Sequence, residues 1–220
     1  MTSTSSSNPD ARGKAARRPS QAQRRDATRT RILDATLYCL AHHGYAGTSL
    51  SQVTVRAKVS RGAWAHHFAS MDALLLAAAE HLMHQVYQRL ASVLGAVAAS
   101  GDDLRGLVDA VWREFFASEV NEVYLELLIA SRRNPALAER LRVLALQLES
   151  NIANAATQLF EAQPDAVHEV TTMMHLNRWM LRGIALDAPL MPEGSVDEAL
   201  QAWSALVSTQ LRRRRSSTRG

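Results

Sequence analysis

The chain has 220 residues, 47% hydrophobic and 5% aromatic, with a formal net charge of +4 at pH 7. That is enough apolar material for a sizeable core, yet no apolar run reaches the roughly 18–20 residues a membrane-spanning helix needs, and the opening MTSTSSSNPDARGKAARR lacks the apolar segment of a secretory signal. A single cysteine, Cys39, rules out an internal disulfide and argues against a cysteine-based metal cluster, so a cytoplasmic protein is expected.

The charge is unevenly laid out. Residues 1–31 carry eight Arg or Lys against two Asp, and residues 212–220 carry five Arg, whereas residues 72–211 hold nine basic and eighteen acidic side chains. The first 25 residues are rich in Ser, Arg, Ala and Pro without apolar periodicity, which predicts a disordered basic arm. Such an arm either reaches DNA phosphates through Arg24, Arg25 and Arg29 or serves as a solubilising tail; both readings stand at this point. The run Arg212–Arg215 reads as a solvated tail.

A first helix follows, containing Cys39 and closed by His42 and His43 before the stop signal Gly44-Tyr45. Thr48 and Ser49 are cap candidates for a second helix ending at Ala57, in which Leu50, Val53 and Ala57 form one buried stripe. After Lys58 and Val59, Ser60 starts a third helix of about two turns that ends near Phe68. Ser70 with Asp72 then caps a long helix beginning around Met71. Two short helices joined by a turn of three or four residues form a helix-turn-helix, whose second member enters the major groove. Arg61, Gly62, Trp64, Ala65 and His66 lead that second helix and are the groove-facing candidates.

These residues resemble the DNA-binding domain of the TetR/AcrR family of bacterial transcriptional regulators. The resemblance is carried by Thr48, Ser49, Val53, Ala57, Val59, Ser60, Gly62, His67, Phe68, Ser70 and Leu74, with Thr30, Ile32, Leu33, Ala35, Leu40 and Gly44-Tyr45 ahead of them. Four positions depart from the family pattern. Lys58 stands for the turn glycine, Thr54 for a small alanine, Ala65 for the aromatic that faces phosphates, and Met71 for a lysine. If the backbone at Lys58 has positive φ, the substitution costs on the order of 1 kcal/mol. The resemblance implies phosphate contacts from Thr48, Ser49, Ser60, His67 and Lys58.

Beyond Asp72 apolar residues recur at helical spacing, predicting helices at about 72–98, 103–118, 120–133, 136–161, 165–186 and 196–211, nine in all. The expected organisation is all-α: a disordered basic arm at 1–25, a helix-turn-helix domain at 26–71, an effector-binding and dimerisation domain at 72–211 and a basic tail at 212–220. The helix from Asp165 is apolar on several sides, with Val167, Val170, Met174, Leu181 and Ile184 on one stripe. The resemblance implies that the last two long helices pair with those of a second subunit, through Met174, Leu181, Ile184, Val196, Leu200, Trp203 and Val207, with Gly183 allowing close approach. It further implies a pocket for an unknown small-molecule effector, for which Trp112, Phe115, Phe116, Tyr124, Leu128, Met174, His175 and Arg178 are the candidates.

His81 and His84 lie at i, i+3, but two ligands without a third make a weak metal site, so surface histidines are expected. No G-x-S-x-G, P-loop or G-x-G-x-x-G occurs, so neither an enzyme nor a cofactor is expected. The reading that follows is a homodimeric repressor on double-stranded palindromic DNA. The alternative is a dimer of the same fold that binds ligands or partners and has lost operator recognition.

Overall fold

The computed structural model describes residues 20–100 and 104–214. Within them lie nine α-helices and one short two-stranded sheet. Ser20 opens α1 (Gln21–Gly47) as a capping box: its hydroxyl accepts from Gln23 N–H, and the Gln23 side chain accepts from Ser20 N–H at 2.8 Å. Arg24 and Arg25 therefore sit in a capped helix, and the disordered arm expected over 1–25 does not extend to them. The remainder of that arm, residues 1–19, lies outside the described residues.

Helix α1 buries Ile32, Leu33, Ala35, Thr36, Leu37, Cys39 and Leu40 along one face. Thr36, in place of an alanine, is tolerated because its hydroxyl donates to Ile32 C=O at 2.8 Å. The helix breaks at Gly44 (φ 68°, ψ 175°), a conformation open to glycine and costly for other residues. Helix α2 (Leu50–Ala57) starts from Ser49 and α3 (Arg61–Ala65) from Ser60, each hydroxyl accepting an N–H from the first turn. Helix α3 is shorter than the sequence suggests, giving way after Ala65 to a turn that carries Phe68 back into the core. Thr54 is buried in α2 and bonds Leu50 C=O at 2.9 Å, so it satisfies its hydroxyl within its own helix.

Helix α4 (Met71–Ser100) is a single 30-residue helix with Ser70 accepting from Ala73 N–H at 3.1 Å. Helix α5 (Leu104–Val111) runs into a π-helical turn, Trp112–Phe116. It is followed by α6 (Glu119–Ser131) and α7 (Pro135–Leu159), the latter capped by Asn134 with Pro135 in its first turn. The chain continues through β1 (Phe160–Ala162), α8 (Val170–Asp187), a 3-10 turn at Ala188–Leu190, α9 (Ser195–Gln210) and β2 (Leu211–Arg213).

Two apolar cores result. One gathers α1, α2, Trp64, Phe68 and Leu74–Leu82 of α4, and it is completed by Val123 and Leu127 of α6 and Leu137 and Leu141 of α7. The other unites Leu90–Val97 of α4 with α5, the π turn, α8 and α9. The head is therefore closed partly by side chains from the body.

The C-terminal third departs from expectation at three places. Helix α8 begins at Val170, not near 165. The preceding residues form a turn held by Ala166 N–H on Gln163 C=O and Val167 N–H on Gln210 Oε1, which leaves Val167 exposed and off the apolar stripe. Strands β1 and β2 pair antiparallel, Phe160 opposite Arg213 and Glu161 opposite Arg212, where a sequence reading finds no strand. Arg212–Arg214 are consequently not a solvated tail. Arg212 Nε bonds Glu161 at 2.9 Å, Arg213 donates to Val97 and Ala98 C=O, and Arg214 Nε donates to Thr157 C=O at 2.8 Å. Residues 215–220 lie outside the described residues.

Lys58 sits between α2 and α3 at φ 54°, ψ 48°, the left-handed region. The turn keeps this geometry because Lys58 N–H reaches Val55 C=O and Val59 N–H reaches Thr54 C=O. Replacing Lys58 with Gly relieves the Cβ strain and is expected to stabilise the protein by about 1 kcal/mol. Urea unfolding of the two proteins checks this; an unchanged or lowered midpoint would show that the turn carries no such strain.

Candidate nucleic-acid interface and internal cavity

The reading head presents α3 at the surface. Lys58, Ser60, Arg61, Gly62, Ala65 and His66 are exposed, and His67 is half-buried. Arg25 and Arg29 of α1 lie beside this face: the Arg29 guanidinium stands 5.4 Å from the Phe68 ring centre. Burial, followed by the charges of Arg25, Arg29 and His66, pushes the His67 imidazole below its ordinary pKa, with Asp26 opposing. His67 is therefore neutral at pH 7 and offers one N–H and one acceptor.

Three of the expected contacts are corrected. Trp64 is only 8% exposed and packs in the head core with Phe68, their ring centres 6.5 Å apart, so its indole cannot meet a base edge. The Thr48 hydroxyl donates to Gly44 C=O at 2.7 Å and its N–H to Tyr45 C=O, which commits it to the turn between α1 and α2. The Ser49 hydroxyl donates to Gln52 Oε1 at 2.8 Å while accepting Gln52 N–H. Ser60 differs, because its oxygen accepts Ala63 N–H at 3.0 Å and its own proton remains available to a phosphate.

The body holds a partly open cavity of about 110 Å³. Helix α4 contributes Met83, Val86, Leu90 and Leu94, α6 contributes Val120, Asn121 and Tyr124, and α7 contributes Leu148 and Ile152. The π turn puts both Phe115 and Phe116 on the wall, because its wider winding brings consecutive residues toward the same side. Helix α8 supplies Met174, Asn177, Arg178 and Arg182. Asn177 is buried and fixed by Trp203 Nε1–H, which donates to its Oδ1 at 2.7 Å across α8 and α9.

Of the expected pocket residues, Phe115, Phe116, Tyr124, Met174 and Arg178 line the cavity. Trp112 stacks behind it on Phe116, Leu128 faces outward at 40% exposure, and His175 turns to Glu149 of α7, 3.8 Å away. Asn121 and Arg182 were missed by sequence reasoning. For Arg182 a signal existed, because Met174, Arg178 and Arg182 recur every four residues on one face of α8.

Most residues expected at the subunit interface pack inside the chain instead, while Ile184 and Val196 are half-buried. Met174, Leu181, Leu200, Trp203 and Val207 are buried within this one chain, and Ile184 and Val196 pack against the same core. The outward side of α8 carries Trp179, Gly183 and Leu186 at i, i+4 and i+7, and that of α9 carries Ala202 and Leu206. His81 bonds Asp34 of α1 at 2.7 Å and His84 bonds Gln88 at 2.9 Å, so the two histidines serve separate contacts. Cys39 is buried, and that burial raises its thiol pKa against the opposing charge of Arg56, which makes it an unreactive core group. Among the described residues no helix is long and apolar enough to cross a membrane.

A three-helix head with an exposed third helix led by Arg61, joined by one continuous helix to a largely helical body with a partly open apolar cavity, defines the class of helix-turn-helix regulators. Residues 32–78 match the model of the bacterial regulatory proteins of the tetR family. The chain is 36% identical over 123 residues to the HTH-type transcriptional regulator CymR of Pseudomonas putida, a match covering 56% of this chain and 60% of CymR. It is 30% identical over 133 residues to the HTH-type transcriptional regulator BetI of Burkholderia mallei, covering 58% and 67% of the two chains. The crystal structure of a transcriptional regulator from Saccharomonospora viridis in complex with choline shares the fold at a TM-score of 0.66 and 16% identity, covering 86% of this chain and 100% of that one. The chain belongs to the TetR family.

Trp64 and Arg61 sit three residues apart on α3 with opposite roles. Trp64→Ala is expected to destabilise the head by roughly 3–5 kcal/mol through the cavity it opens. Arg61→Ala should leave stability within about 0.5 kcal/mol of the parent. Thermal unfolding of both variants decides the assignment, and a strongly destabilised Arg61→Ala would place that side chain in the packing instead.

Proposed function

We propose that the protein is a homodimeric transcriptional repressor that binds a palindromic operator and is released from it by a small organic effector held in the cavity. The observation that carries this reading is the continuity of α4, which starts at Met71, just beyond the reading helix, and runs unbroken to the cavity wall at Met83, Val86, Leu90 and Leu94. A second link runs through α6. Its Val120, Asn121 and Tyr124 face the cavity, and its Glu126 accepts Tyr45 N–H at 2.8 Å where α1 turns toward α2. An effector that fits the cavity better in one head arrangement than another lowers DNA affinity by that difference.

On DNA, Arg61, Gly62, Ala65, His66 and His67 enter the major groove, while Lys58, Ser60, Arg25 and Arg29 meet phosphates and set the register. Two heads on a two-fold axis read half-sites about 34–36 Å apart. Dimerisation is supported by the outward apolar stripe of α8, Trp179, Gly183 and Leu186, together with Leu206 of α9. A Cβ built on Gly183 meets nothing within 4 Å among the described residues, which leaves room for a partner helix to approach closely.

The test is binding of the purified protein to DNA from its own upstream region, against an unrelated duplex, between about 50 and 200 mM salt. Saturable binding selective for its own region at the higher salt is expected, weakened at least about tenfold by Arg61→Ala. Equal binding to both duplexes that collapses with salt would overturn the repressor reading and favour a dimer that binds ligands or partners.

A further inference from the structure

The cavity is apolar around most of its wall and positively charged at one end. Among the described residues its lining contains two arginines, Arg178 and Arg182, and no Asp or Glu. The two are unequally served. Arg178 pairs with Glu149 of α7, which neutralises it. Arg182 has no carboxylate partner among the described residues. Its guanidinium lies 4.2 Å from the Tyr124 ring centre and 5.7 Å from that of Phe116, both of which line the cavity.

Both arginines also bury an Nε–H that meets no acceptor among the described residues, the one side-chain hydrogen bond of Arg182 being to Tyr124. A guanidinium removed from water without an anion is costly, and such groups are normally paired. The strain shows in Arg182, whose pKa is pushed down by burial and by Arg178, while Tyr124 opposes. An anion entering the cavity would supply the missing acceptor. Asn177, whose Oδ1 is held by Trp203, has its amide N–H groups left to donate beside it.

We propose that the cavity takes a compact apolar molecule bearing a single carboxylate, with the carboxylate on Arg182 and the apolar body against Leu90, Phe115 and Ile152. The proposal deepens the effector reading above and rests on it. One uncompensated positive charge matches one carboxylate, whereas a phosphate of nearly two charges would ask for more donors. A quaternary ammonium such as choline is disfavoured, because it needs open aromatic faces and those of Phe116 and Tyr124 are already occupied by a cation. The volume limits the size: about 110 Å³ is less than the roughly 150 Å³ of a cavity that accepts benzene, so the apolar body is a short chain or at most one ring reaching toward the open side.

The experiment is calorimetric titration of the full-length protein at pH 7.5 with benzoate, phenylacetate and hexanoate, with their primary amides, and with choline. At least one acid is expected to bind at least about tenfold more tightly than its own amide, with choline silent. Arg182→Met should equalise acid and amide, and Arg182→Lys should restore the preference in part. Should Arg182→Met fold poorly, Glu149→Gln gives an independent check: releasing Arg178 should strengthen the acid and leave the amide unchanged. Acid and amide binding equally, or choline binding best, would overturn the anion assignment while leaving the effector reading standing. Failure of every acid while amides bind would overturn it in the same way, and failure of all probes would overturn both.

Discussion

The structure depends on one constraint, that a single helix must satisfy two cores at once. Helix α4 is about 45 Å long at 1.5 Å per residue. Leu74, Leu75, Ala78, Ala79 and Leu82 lie in the head core, and Leu90, Val93 and Val97 in the body core. A helix interior is stiff and both cores are close-packed, so neither end can shift freely while the other stays in place. Met83 and Val86, at the crossover, line the cavity, which puts the ligand space where the two cores meet.

The head is held to the body by more than this helix. Gly44 breaks α1 in a conformation suited to glycine, and a Cβ there would come within 3.2 Å of Glu126 Oε2. The same carboxylate takes the Tyr45 N–H that the break leaves without a helical partner. Backbone geometry, side-chain size and hydrogen bonding agree at this one point, so the angle between α1 and α2 is tied to the position of α6. Lys58 is the opposite case, a side chain kept in a left-handed turn between α2 and α3 at a small cost in stability.

In the body, a half-buried charge does more to define the site than the apolar wall around it. Apolar walls accept many shapes, but a guanidinium over two aromatic rings, without a carboxylate, discriminates by charge. Arg178 shows the contrast within a turn of the same helix, because Glu149 has already answered its charge. The hydrogen bond from Trp203 to Asn177 fixes α9 to α8 behind this end of the cavity, so its donors are pre-oriented.

Much of this was legible in the amino-acid order because it is local. Caps at Ser49, Ser60 and Ser70, the stop at Gly44 and the buried stripe of α2 are properties of neighbouring residues, and they locate the first helices and the reading head. What remained depended on which way each helix was turned. Helices apolar on several sides give no unique inward face, so sequence alone offers Trp64 to the groove and Met174, Leu181, Leu200, Trp203 and Val207 to a subunit interface, whereas packing within the chain turns them inward. The pairing of β1 with β2 joins residues about 50 apart and captures Arg212 through the Glu161 carboxylate and Arg213 and Arg214 through backbone carbonyls, which no local pattern announces. The isolation of Arg182 was likewise a tertiary fact, because a charge is unpaired only in relation to everything the fold brings near it.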